Sequence, residues 1–105
     1  MKPVRFSILT RMDRNVAISK VCEAITNSGG WVEDQFFFSN KAATVRFEMP
    51  LGAVGKFQSM LLDEGLKLYA EGEQPSGDSG DFRGAISLTF VHQEPDLKRD
   101  VPPFG

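Results

Sequence analysis

The chain has 105 residues, a net charge of -2, 41% apolar and 25% charged residues. This describes one domain, long enough for a single core, whose charge favours neither nucleic acid nor an anionic membrane as a partner. No apolar run approaches the ~20 residues of a membrane span, and Met1–Arg5 lacks the apolar core of a signal peptide, so a cytoplasmic location is expected.

The first apolar run, Val4–Leu9, alternates as a strand does. Val4, Phe6 and Ile8 point one way; Arg5, Ser7 and Leu9 point the other. Asp13 or Asn15 supplies a side-chain oxygen suited to a helix N-cap. The spacing of Ala17, Ile18, Val21, Cys22 and Ile25 then predicts an amphipathic helix over Val16–Ile25, closed by Gly29-Gly30. Val32–Phe38 and Ala43–Met49 read as a hairpin turning at Ser39-Asn40-Lys41. Its core face is expected to hold Val32, Phe36 and Phe38 beside Val45, Phe47 and Met49. Its outer face then holds Trp31, Glu33, Gln35 and Phe37 beside Thr44, Arg46 and Glu48, with Arg46 reaching Glu33 or Gln35.

Pro50 suits the first turn of a second helix, Val54–Leu62, whose buried stripe is Val54, Phe57, Met60 and Leu61. Gly52 and Gly55 weaken that helix by ~1 kcal/mol each relative to Ala, and Gly65 ends it. A strand over Leu66–Ala70 follows. The polar run Gly72–Asp81 is expected to be a mobile loop, and Ala85–Val91 a last strand with Ile86, Leu88 and Phe90 inward. Residues 1–92 thus form the domain. Residues 93–105 form a polar tail with Pro95, Pro102 and Pro103, extended unless Val101 and Phe104 dock on a partner. Strand–helix–strand–strand–helix–strand–strand predicts an α+β ferredoxin-like sandwich with an additional C-terminal strand and two helices on one face of an antiparallel sheet.

The inventory for catalysis is thin. Cys22 is the lone cysteine, so it forms neither an internal disulfide nor a thiolate cluster, and it is expected as a small buried hydrophobe. His92 is the single histidine, and no Ser or Cys can be set beside it with a carboxylate to orient it. Asp78 and Asp81 lack calcium-loop spacing, and Gly52-x-x-Gly55-Lys56 lacks the spacing of a phosphate loop. No catalytic residue, metal or cofactor is expected. Trp31, Phe37 and Tyr69, with Arg5, Arg46 and Lys67, would put aromatics and cations on an open sheet, as in RNA-stacking domains. The chain lacks the signature of those domains and is acidic, so nucleic acid is not expected. A second copy of the chain is the expected cover, with Trp31, Phe37, Arg46 and Tyr69 as interface residues and a homodimer joined through the sheet face or an edge strand.

The stretch Phe6–Asp34 resembles the first half of an ACT domain. The resemblance rests on an apolar strand, Asp13-Arg14 opening the loop, Ile18, Val21 and Ile25 on the helix, a glycine turn at Gly29-Gly30, and Val32-Glu33-Asp34 opening the next strand. Asn15-Val16 stands where that family has Pro-Gly. The resemblance implies the sandwich, side-by-side dimers and a small metabolite such as an amino acid held at the first strand–helix loop by Arg11, Asp13, Arg14 and Asn15. The expected function is a non-catalytic regulatory or small-ligand-binding domain acting as a homodimer. The alternatives are a small dimeric α+β barrel enzyme, with a pocket on the sheet face lined by Trp31, Phe37 and Tyr69, and a protein–protein assembly module.

Overall fold

The computed structural model describes residues 3–39, 41–72, 77 and 79–91. Strand β1 (Val4–Thr10) leads into helix α1 (Arg14–Asn27), then strands β2 (Trp31–Ser39) and β3 (Ala42–Pro50). A single 3-10 turn (Leu51–Ala53) precedes helix α2 (Val54–Asp63), followed by a short strand β4 (Tyr69–Glu71) and the long strand β5 (Asp81–Phe90). The five strands form one sheet in the order β2-β3-β5-β1-β4, antiparallel at every step except β5 against β1.

Both helices share one core with the sheet. Phe6, Ile8, Val45, Phe47, Met49, Ile86 and Leu88 meet Val21, Ile25, Phe57 and Leu61 there, all buried. This follows from period: alternate residues of β1, β3 and β5 are apolar, and the helices carry apolar residues three and four apart. An ion pair from Lys20 to Glu64 links the helices at their exposed side. Asp13, rather than Asn15, is the N-cap of α1; its carboxylate accepts from the backbone N–H groups of Asn15 (3.0 Å) and Val16 (3.3 Å). Pro50 closes β3 instead of opening α2, and Cys22 is half-buried rather than buried.

The domain is α+β, but its strand order is not ferredoxin-like. The last strand does not add to an edge. It stands between β1 and β3 in the middle of the sheet. The reason is legible in its burial. β5 starts at Asp81, four residues earlier than the sequence pattern suggests, and Phe82, Gly84, Ile86, Leu88 and Phe90 are all buried. A strand buried along its whole inner side over ten residues gains from a neighbour on each edge. β4 spans three residues with Tyr69 and Glu71 exposed, which suits an edge.

The second correction lies in β2. Val32 pairs with Phe47, but Asp34 then pairs with Arg46, so Glu33 is an extra residue in a β-bulge. One extra residue reverses the side chains that follow it, here as far as a second bulge at Phe38. Gln35 and Phe37 therefore lie on the helix side, opposite Val45 and Ala43, and Phe36 lies on the outer side, opposite Thr44. Phe37 is not an outer-face residue, and neither Phe36 nor Phe38 enters the core; all three are exposed. Residues 73–76 and 78 of the expected mobile loop, His92 and the 93–105 tail lie outside the described residues.

Candidate functional site

With both helices on one side of the sheet, the other side is open, and strand register places its residues in rows. One row crosses all five strands as Asp34, Arg46, Ala85, Arg5 and Glu71. The next runs Phe36, Thr44, Ser87, Ser7 and Tyr69. Short side chains fill the middle strands and aromatic rings stand at both ends, ~19 Å apart at the usual strand spacing. Beyond this row lie Ala42, Thr89 and the exposed Leu9. At the opposite end Trp31, Glu48 and Arg83 are adjacent on three strands.

Each guanidinium on this face has a carboxylate. Arg46 forms a two-pronged pair with Asp34, its Nε donating to Oδ1 at 2.7 Å. Hydrogen bonding from Arg46 lowers the pKa of Asp34 below the usual carboxylate range, and Asp34 in turn raises that of Arg46. Arg83 lies 3.5 Å from Glu33 and 3.9 Å from Glu48, and Arg5 lies 3.9 Å from Glu71. The edge rings are also braced by cations: Arg46 sits 5.2 Å from the Phe36 ring centre, and Lys67 sits 5.2 Å from that of Tyr69. The face therefore combines internally balanced charge, a central strip of hydroxyls and aromatic walls.

Three of the expected sheet-face residues, Trp31, Arg46 and Tyr69, lie on this open face; Phe37 does not. Phe36 takes its place, and the bulge that puts it there leaves no signal in an alternating pattern. A pocket built from Trp31, Phe37 and Tyr69 together cannot form, because Phe37 belongs to the other side of the sheet. The depressions at the two ends are open ones, about 310 Å³ beside Glu48, Asp81 and Arg83 and about 200 Å³ beside Leu9, Thr10, Arg11 and Val91.

Of the four loop residues, Asp13 and Asn15 are in direct contact. Arg11 lines the smaller depression. Asp13 caps α1, with Asn15 as one of its donors. Arg14 lies 5.9 Å from the ring centre of Phe37, toward the sheet edge. Two N–H groups at the start of α1, those of Asn15 and Val16, already donate to the chain's own carboxylate.

Burial pushes the Cys22 thiol pKa up, which disfavours the nucleophilic thiolate, and Gln35 Nε2 lies 3.5 Å from its sulfur. Among the described residues no group of three or more His, Cys, Asp or Glu is arranged to hold a metal ion, and no helix is long and apolar enough to cross a membrane. The chain matches no protein-family model, no curated protein and no solved structure.

Proposed function

We propose that this is a non-catalytic small-ligand-binding domain whose ligand surface is the open face of the sheet. The observation that carries the reading is the pairing of Arg46, Arg83 and Arg5 with Asp34, Glu33, Glu48 and Glu71. A face whose guanidiniums are already neutralised gives little to a phosphate backbone or a polyanion. It suits a ligand without net charge, such as a zwitterionic amino acid. The apolar part of that ligand stacks on Phe36 or Tyr69, and its polar groups meet Ser7, Thr44 and Ser87.

The test is a thermal-shift titration with zwitterionic, neutral and anionic small molecules, repeated on Tyr69→Ala and Ser87→Val. A ligand that binds only the native state at 100 times its Kd stabilises it by about 2.7 kcal/mol. A zwitterionic or neutral compound is expected to raise the Tm of the wild type and to lose most of that effect in both variants. A response to anions alone refutes the reading, as does a response that survives both variants. Loss of the response in Arg14→Ala instead would move the ligand to the first strand–helix loop.

A further inference from the structure

We infer that the outer edge of β2 is a self-association surface, and that a second copy of this chain pairs with it strand against strand. The inference does not depend on the reading of the open face, because it concerns the edge of the sheet.

Among the described residues no strand pairs with that edge. β2 is nine residues long, and no side chain in it is buried. It carries Trp31 at 50% exposure and three consecutive phenylalanines, Phe36, Phe37 and Phe38, at 44, 54 and 69%. The register sets Phe36 on the open side and Phe37 on the helix side. A ligand on the open face would cover Phe36 and leave Phe37 wet. A helix docked from the other side would cover Phe37 and leave Phe36 wet. A sheet that continues past β2, with its helix layer alongside, covers both.

Soluble proteins usually guard an edge strand with lysine, proline, inward-pointing charge or β-bulges, and of these β2 carries the bulges, one on each side of Asp34–Phe37. β2 contains no Lys, Arg or Pro. Its two acids, Glu33 and Asp34, are neutralised by Arg83 and Arg46 of the same chain, so they do not repel a second copy. The two bulges, at Glu33 and Phe38, leave Asp34–Phe37 as a regular segment between them.

Size points the same way. Covering the exposed parts of these four rings would remove on the order of 450 Å² per protomer, about half of the ~800 Å² that one side of a standard interface buries. The backbone edge and the flanking residues supply more. An antiparallel pair of identical strands is also the arrangement that closes under two-fold symmetry, so the complex stops at two copies.

The experiment measures mass by light scattering across a concentration series and backbone amide exchange at the same concentrations. It uses the wild type, Phe37→Lys, Phe38→Lys and, on the far edge, Tyr69→Lys. The wild type and Tyr69→Lys are expected at twice the monomer mass at high concentration. Phe37→Lys and Phe38→Lys are expected to shift the midpoint of association at least tenfold upward while keeping the circular dichroism of the wild type. Should either β2 variant fail to fold, exchange on the wild type still decides, because pairing slows the β2 amides as mass increases. A wild type that stays monomeric overturns the inference, and a monomer with protected β2 amides does so by giving the edge to another part of the same chain. A dimer indifferent to both β2 changes overturns it in favour of another surface.

Discussion

The ring of Phe47 lies where a side chain at Gly84 would have to stand. A methyl group built on Gly84 would come within 2.3 Å of the Phe47 Cζ. The two residues are partners across β3 and β5, and both are buried. Phe47 cannot easily turn aside, because it packs against Phe57 (5.6 Å between ring centres), Phe82 (5.9 Å) and Phe6 (6.4 Å). The absence of a side chain at Gly84 thus lets β5 lie beside β3 with a full-sized ring between sheet and helices.

Gly84→Ala is therefore expected to destabilise the fold by about 1–3 kcal/mol, the usual range for forcing atoms into a packed core. At roughly 4–8 °C per kcal/mol for a domain near this size, the loss is visible in Tm. The double variant Gly84→Ala/Phe47→Leu should lose less than the sum of the two single changes, because the smaller side chain makes room. Strict additivity would show that the ring does not exclude the methyl group.

The Asp34–Arg46 pair predicts a pH dependence with a definite sign. Asp34 has a lower pKa in the folded state than in the unfolded chain, because Arg46 donates hydrogen bonds to its charged form. The unfolded state therefore binds a proton first as pH falls, and the pair's contribution is lost toward acid. Urea denaturation of wild type and Asp34→Asn should show a stability gap at neutral pH that narrows below the ordinary carboxylate range. Added salt should narrow it further, since the pair is exposed. A gap independent of pH would refute the assignment.

How far the sequence reveals this fold depends on whether a feature is periodic. β1, α1 and β3 are legible because their apolar residues repeat at two or at three and four, and Phe6, Ile8, Val21, Ile25, Val45 and Phe47 are all buried as expected. The bulge at Glu33 is not legible, since a two-against-one pairing exists only between strands, and it hid both the exposure of Phe36 and the turn of Phe37 toward the helices. The central position of β5 is also hidden. Strand order depends on long-range pairing, and the expected strand begins at Ala85, one residue after Gly84, whose missing side chain makes room for Phe47. Of the open face, Trp31, Arg46 and Tyr69 were legible by alternation. The row that joins Phe36 to Tyr69 requires the order of all five strands.

Asp13 offers a cleaner test of the first strand–helix loop than its arginines do. Its carboxylate accepts from two N–H groups at the start of α1. Asp13→Ala should cost about 0.5–2 kcal/mol in urea denaturation, whereas Asp13→Asn, also a good cap, should recover most of the loss. A cap has this signature, and it needs no ligand. Equal loss in both variants would mean that the negative charge at the helix start, rather than the cap hydrogen bonds, is what α1 uses.

Two other glycines should respond to the same change with opposite signs. Gly30 leads into β2, where a methyl group would stand 2.4 Å from the Glu48 carbonyl oxygen and 2.7 Å from the Met49 Cβ. Glu48 and Met49 belong to the ladder between β3 and β5, and Met49 is fully buried, so this backbone has little freedom to retreat. Gly30→Ala is expected to destabilise by at least ~1–3 kcal/mol. Gly55 is an exposed residue of α2 with nothing within 4 Å of a built Cβ. Gly55→Ala should stabilise by about 0.5–1 kcal/mol, because alanine restricts the unfolded chain and favours the helix. Paired denaturation curves for the two variants therefore test the placement of both residues. If Gly30→Ala proves neutral, β2 does not approach β3 this closely, and the bulge at Glu33, three residues further on, loses its support.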